Sequence, residues 1–338
     1  MVDLFLEAGF TYFDTAHIYL GSEEAARKAL VERHPRESFT LATKLFAPLA
    51  FSEKAAKEQF NTSLKKTGAG YFDYYLLHSL MRNNYSKYER FRLWDFVNEQ
   101  KAKGLIKHIG FSYHDGPKLL EEILTEHPEA EFVQLQINYA DWDNPSIASR
   151  ANYETARKHG KYVVIMEPVK GGSLARPPKE VAKLFKDHAP DMSAASWAIR
   201  FAASLDGVLS VLSGMSNTSQ MNDNLSYMKD FRPLDDKEQR IIQEAQRLLG
   251  FSDTIPCTGC GYCKEGCPKK IPIPEIFAAM NKHLGNGQTE EARRDYAGIV
   301  SAGSSAADCI SCGRCEATCP QHIAVMEQLK RTHGLMQV

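Results

Sequence analysis

The stretch TYFDTAHIYLGSEE, residues 11–24, begins in a β-rich run, ends that run near Asp14, and places Tyr19 five residues later, ahead of a helical pattern. It reads as one strand–helix unit, and such units recur downstream. The strand candidates are TYFDTA (11–16), FTLATK (39–44), YFDYYLLH (71–78), IKHIGFS (106–112), EFVQLQIN (131–138), YVVIMEP (162–168) and VLSVLSG (208–214). Between them lie helical patterns such as EEAARKALVE, KAAKEQFNTSLKKTG, YERFRLWDFVNEQKAKG and NYETARKHG, several of them ending in glycine, a helix stop. Strand–helix alternation implies a parallel sheet. Repeated this often, it predicts an α/β fold of the (β/α)8 TIM-barrel type.

Asp14, Lys44, His78, Ser112, Gln134, Asn138 and Glu167 fall at or near the C-terminal ends of those runs. In a parallel barrel these ends converge on one face, where active sites lie. One polar residue there is usually a satisfied hydrogen-bonding group. An Asp, a Tyr, a Lys and a His together are a candidate catalytic site.

The text GFTYFDTAHIY with GSEE, then LATK, then YYLLH, resembles the aldo/keto reductase family over roughly residues 1–230, although Leu20 precedes the glycine here. The resemblance implies a catalytic tetrad of Asp14, Tyr19, Lys44 and His78. It also implies NADP- or NAD-dependent interconversion of a small-molecule carbonyl and an alcohol. The chemistry can be argued on its own. Hydride reduction needs a proton donor beside the carbonyl oxygen, and a tyrosine of pKa ~10 is a poor acid at neutral pH. A neighbouring ammonium favours the phenolate and lowers that pKa. Lys44 would supply the cation, Asp14 would hold it in place, and His78 would donate to the carbonyl oxygen. Tyr19 is then the general acid of reduction and the base of oxidation.

The resemblance extends to the nicotinamide site. Ser112 in IGFSYHD stands where the family has Ser-Asn, with Tyr113 replacing the asparagine, and Gln134 and Asn138 in QLQIN match its carboxamide-fixing Q-x-x-x-N. EPVKGG (167–172) and SGMSN (213–217) follow the last two strand candidates, where barrel loops commonly bind phosphate. Amides at Gly171, Gly172 and Gly214 would cradle a pyrophosphate. Asp223 and Asn224 in NDNL match the family's adenine-contacting Glu-Asn. Gly214 and Gln220 stand where NADP-specific members carry a lysine and an arginine, so NAD and NADP both stay open. A flavin has no motif here and stays open as well.

Seven strand candidates are present rather than eight. MVDLFLEAGF reads as the family's first helix, ending in Gly9, so the barrel is expected to lack strand one and its Gly-rich loop. The expectation favours a start assigned too late over a naturally shortened barrel. Without that strand the next one has an open edge, which, in a naturally seven-stranded protein, the terminal domain or a second subunit would cover.

All eight cysteines lie after position 256, in CTGCGYCKEGCP (257–268) and CISCGRCEATCP (309–320). Both are C-x2-C-x2-C-x3-C-P. Structural zinc sites usually pair two C-x2-C hooks, and disulfides are unexpected in a cytoplasmic chain. The duplicated spacing is that of bacterial [4Fe–4S] proteins, so two [4Fe–4S] clusters are expected. The segment resembles a two-cluster ferredoxin of the helical kind. In such proteins the fourth cysteine ligates the other cluster. The resemblance implies Cys257, Cys260, Cys263 and Cys319 for one cluster, and Cys309, Cys312, Cys315 and Cys267 for the other. Gly259, Gly261 and Gly313 would let loop amides approach the sulfides. The expected domains are a barrel over 1–235, a helical linker over 236–256 and a small, mainly helical ferredoxin-like domain over 257–338.

The 338-residue chain is 43% hydrophobic and 25% charged with a formal net charge of −1, which points to neither nucleic acid nor an anionic membrane. No apolar run approaches a membrane span, and MVDLFLEAGF lacks a signal peptide's basic region, so a cytoplasmic protein is expected. Nicotinamide moves two electrons as hydride whereas a cluster moves one. The clusters are therefore expected either to be structural or to exchange electrons with an external ferredoxin or other redox protein. The alternative is an iron–sulfur electron-transfer protein whose barrel no longer reduces carbonyls. Oligomeric state and substrate are not legible.

Overall fold

A computed structural model describes residues 1–250 and 254–336. They form two compact units, one of residues 1–168 with 199–234, the other of residues 169–198 with 235–338. In the first unit all seven strand candidates are strands: β1 (Tyr12–Asp14), β2 (Thr40–Leu45), β3 (Phe72–Leu80), β4 (Ile106–Tyr113), β5 (Phe132–Gln136), β6 (Tyr162–Met166) and β7 (Val208–Val211). They pair in chain order, every pair parallel. The result is a nearly closed TIM-type barrel. β2 and β3 are buried almost throughout, as strands covered on both faces must be.

The helices follow local chemistry. Ser52 caps Glu53–Thr67 by accepting from Ala55 N–H, and Gly68, at φ 66°, ends it. The pattern YERFRLWDFVNEQKAKG divides at Arg92 (φ 49°) into helices Tyr85–Arg90 and Leu93–Ala102. In one unbroken helix Tyr88, Phe91, Leu93 and Trp94 would span more than half the circumference. The break lets both pieces bury these residues.

Among the described residues β1 pairs only with β2, and β7 only with β6. A cavity of about 810 Å³ lies at these two edges, lined by Phe5, Tyr12, Asp14, Val211, Ser213 and Met221, among others.

The second unit is helical among its described residues. Its core gathers Ile255, Ile271, Ile273, Phe277, Met280, Tyr296 and Leu329 with the cysteines Cys263, Cys315 and Cys319. The sequence duplication extends to the backbone. Gly261 (φ 82°) and Gly313 (φ 73°) cap the short helices Tyr262–Glu265 and Arg314–Ala317. Gly259 matches Ser311 and Lys270 matches His322, all four at positive φ. No described helix is long and apolar enough to cross a membrane.

Candidate functional site

The C-terminal ends of β1, β2 and β3 bring the four proposed catalytic side chains together. Lys44, whose side chain is 0% exposed, donates to Asp14 Oδ1 at 2.5 Å and to the Thr15 carbonyl at 2.8 Å. Burial pushes the Lys44 ammonium below its ordinary range, opposed by the Asp14 carboxylate, and pushes Asp14 up, opposed by Lys44. Lys44 Nζ also lies 5.4 Å from the centroid of the Tyr19 ring. The Tyr19 ring meets the His78 ring edge-on, with centroids 5.6 Å apart.

His78 is buried, and burial, with the Lys44 charge second, holds its pKa well below the usual imidazole range. It is therefore a neutral ring with one N–H to donate. Its Nδ1 has no partner, and its carbonyl accepts from the Tyr88 hydroxyl. The next residue, Ser79, stands at φ 58°, a costly conformation outside glycine. Its N–H donates to Ser112 Oγ at 2.7 Å, so Ser112 buttresses the His78 strand end.

The residues matched to the nicotinamide site divide. Gln134 is buried beside Met166, to whose sulfur its amide donates at 3.4 Å, and its Oε1 is buried with no partner. That orphaned acceptor fits an amide donor such as a carboxamide. Asn138 is engaged on every side. It donates to Asp141 Oδ2 and the Glu167 carbonyl, and accepts from Asp141 N–H. Asn224 likewise donates to Ser213 Oγ and accepts from Tyr227. Gln220 accepts from the Ser216 N–H and hydroxyl, tying the 213–217 loop. Gly214 and Asp223 lie in the barrel unit, whereas Gly171 and Gly172 belong to the other unit. There Gly171 (φ 61°) packs so closely on the Thr258 backbone that a Cβ has no room.

Sequence reasoning missed three supporting residues. Asp141 holds Asn138. The Thr15 carbonyl shares the Lys44 ammonium. Buried Glu23 accepts from Thr43 Oγ1 at 2.8 Å, which pins the helix after Tyr19 to β2. Glu23, in GSEE, was visible as a charge on a short helix, but nothing marked it as buried.

In the helical unit the eight cysteines line two cavities, four to each. Cys257, Cys260, Cys263 and Cys319 line one, and Cys267, Cys309, Cys312 and Cys315 line the other. Cys319 and Cys267 thus each cross to the opposite motif's loop. Burial, reinforced by the thiols of Cys260, Cys257 and Cys319, pushes the Cys263 thiol up to about 12.

A parallel barrel with a site at its strand ends defines a broad class of enzymes. The chain narrows it: residues 1–247 match the aldo/keto reductase family, and residues 256–324 match a 4Fe-4S dicluster domain. The chain belongs to the aldo/keto reductase family, with a segment matching a 4Fe-4S dicluster domain behind it. It is similar to aldo-keto reductase str7 of Strobilurus tenacellus, 32% identical over 174 residues, 49% of this chain and 48% of the relative. It is also similar to an NAD/NADP-dependent indole-3-acetaldehyde reductase of Schizosaccharomyces pombe, 33% identical over 120 residues, 35% of this chain and 40% of the relative. The chain spans about half the length of the curated relatives it matches, or less. Among solved structures, aldo-keto reductase AKR11C1 from Bacillus halodurans in its holo form aligns at TM-score 0.57 and 25% identity, covering 72% of this chain and 85% of that one. An aldo-keto reductase from Klebsiella pneumoniae in complex with NADPH aligns at 0.59 and 18% identity, covering 73% of this chain and 82% of that one.

Proposed function

We propose that the chain interconverts a small-molecule carbonyl and its alcohol with a nicotinamide nucleotide, NADP or NAD, and that two [4Fe–4S] clusters occupy its cysteine cavities. The observation that carries the reductase reading is the buried Asp14–Lys44 pair against Tyr19 and neutral His78.

The residues fit the roles. Lys44 presents a cation to the Tyr19 ring, which favours the phenolate and eases proton release. Asp14 keeps that ammonium fixed. His78 donates its remaining N–H to the carbonyl oxygen, where charge develops. Tyr19 gives that oxygen its proton in reduction and takes it back in oxidation. Gln134 Oε1 would orient a carboxamide by accepting its N–H. Bound nicotinamide supplies the hydride. That the similar S. pombe reductase uses NAD or NADP supports the nucleotide class without choosing between them.

For the clusters, support comes from two cavities each lined by four cysteines, contributed three and one by the two motifs. Among the described residues, no three Cys, His, Asp or Glu side chains converge as on a single ion. Zinc's tetrahedron needs such convergence, whereas a cubane spreads its four thiolates. The clusters supply one-electron chemistry or hold the fold.

The test is absorbance of NADPH and NADH against a panel of aldehydes and ketones, with nucleotide affinity measured by fluorescence titration. Nucleotide binding with turnover that requires Tyr19 supports the reading. No nucleotide binding would favour the alternative, an electron-transfer protein with a catalytically silent barrel. The cavity at the β1 and β7 edges, which Asp14 helps to line, is the observation in that alternative's favour.

A further inference from the structure

The two cysteine loops are related by the sequence repeat, yet their surroundings differ. The cavity of Cys257, Cys260, Cys263 and Cys319 has no charged residue in its lining. The cavity of Cys267, Cys309, Cys312 and Cys315 has Lys269 and Arg314 in its lining, with Ile310 beside them. The repeat places Ile310 where the first loop has Thr258, and Arg314 where it has Tyr262. Thr258 is half-buried, and its backbone packs against Gly171 of the same unit. Ile310, by contrast, is 57% exposed, although it is a large aliphatic side chain between two cysteines. Cys312, Lys269, Lys270 and Arg314 are exposed too. Of the nearby carboxylates, Asp308 accepts from the Ser305 N–H and hydroxyl and also feels the Lys269 charge, and Glu316 accepts from Met326 N–H. Buried Ile273 lines both cavities, so the two lie back to back.

We propose that the Ile310–Arg314 loop with Lys269 is a docking port for an acidic, one-electron carrier protein, and that electrons pass there to or from the Cys267/Cys309/Cys312/Cys315 site. This rests on the cluster ligation proposed above. An exposed aliphatic residue sharing its cavity lining with two exposed cations suits a small interface with an apolar centre and complementary charge at its rim. The Cys257 loop also exposes a cysteine, Cys260, but has no exposed aliphatic residue and no cation in its cavity lining, so the port is placed on one side only. The step is a single electron transfer. A reduced carrier loses one electron and is oxidised, the site gains one and is reduced, and no bond or proton moves. Short-lived redox encounters of this kind use small interfaces, and charge mainly sets their association rate.

The test uses anaerobic, cluster-loaded full chain mixed with a chemically reduced acidic [2Fe–2S] ferredoxin in a stopped-flow instrument. Reoxidation of the carrier gives the second-order rate constant. In the parent it should rise as ionic strength falls. The double variant Lys269→Glu/Arg314→Glu should be about tenfold slower at low salt, and Ile310→Ser slower at all salts. Methyl viologen radical cation, which needs no docking, should reduce every variant at least as fast as the parent. Cluster EPR amplitude and midpoint potential should stay constant. Equal ferredoxin rates in parent and variants, with methyl viologen active, would defeat the port alone. So would a loss that tracks a shifted potential, because the cations would then tune the cluster. If methyl viologen also reduces nothing in iron-loaded protein, the redox role of the clusters falls with it.

Discussion

Lys44 Nζ lies 2.5 Å from Asp14 Oδ1, with the lysine side chain wholly removed from solvent. The second carboxylate oxygen, Oδ2, is buried without a partner. Removing one member of such a pair leaves a buried charge, at a cost of about 3–5 kcal/mol. Asp14→Asn and Lys44→Met should each destabilise the barrel by that order in denaturant titrations. The double variant should cost clearly less than the sum, because no charge is stranded. Strict additivity would mean that the pair does not interact.

Tyr19→Phe keeps the ring that packs on His78 but removes the hydroxyl. General acid assistance is typically worth ~10²–10⁴-fold. The expected result is a loss of that size in kcat with nucleotide affinity unchanged, since the hydroxyl acts on the substrate oxygen in the transition state. Unchanged turnover on every active substrate would remove Tyr19 from the mechanism.

His78 gives a pH signature. Its folded pKa is held well below 6.5 by burial, whereas in the unfolded chain it titrates near 6.5. Below pH 6.5 the unfolded state binds the proton and the folded state does not. Its contribution to stability is therefore complete above 6.5 and lost as pH falls towards the folded value. The slope approaches about 1.4 kcal/mol per pH unit for one proton. His78→Gln should flatten the fall in thermal stability between pH 7 and pH 5, read from tryptophan fluorescence. His17, also lowered by burial, leaves a residual slope. A parallel curve for the variant would show that His78 is not buried as a neutral ring.

The repeating strand–helix pattern made the barrel legible because every strand is bounded by a local change of period. Asp14, Lys44 and His78 were legible as candidates because they lie at or near strand ends, where side-chain direction is fixed by the pleat, whereas Tyr19 lies in the turn after β1 and was legible only through the family resemblance. The hydrogen bonds that decide between Gln134 and Asn138 were not, because Asp141 and Glu167 reach Asn138 through loop conformations that no sequence period encodes. The break at Arg92 escaped for a related reason. Helical spacing alone does not say how wide an apolar arc the barrel can bury. The asymmetry of the cysteine loops was present in the letters, as Thr258 against Ile310, but exposure alone gives it meaning.

The crossed cysteines make a sharper test than iron content alone. Anaerobic protein should carry about eight iron atoms per chain, as two cubanes on eight cysteines require. Cys319 belongs by sequence to the second motif but lines the cavity of Cys257, Cys260 and Cys263. Cys319→Ser should therefore alter the same EPR signal as Cys260→Ser, and Cys267→Ser the same one as Cys312→Ser. If Cys319→Ser instead groups with Cys312→Ser, each motif holds its own cluster and the crossed assignment fails.

Adjacent glycines test whether the Cys257 loop packs as described. Gly171 and Gly172 both sit at positive φ, 61° and 91°, so alanine at either should cost about 1 kcal/mol in backbone strain. Gly172 has open space where a Cβ would go, whereas at Gly171 the Cβ would strike the backbone of Thr258. Backbone cannot yield as a flexible side chain does, so Gly171→Ala should add an overpacking cost of about 1–3 kcal/mol. That cost falls on the residue next to Cys257, so it should also speed iron loss from one cluster. The measurement pairs thermal unfolding with the rate of cluster bleaching under a chelator. Gly171→Ala should unfold at lower temperature than Gly172→Ala and lose one of the two EPR signals first, the one assigned to Cys257, Cys260, Cys263 and Cys319. Matching behaviour of the two variants would mean that the 170–172 turn does not rest on the cysteine loop.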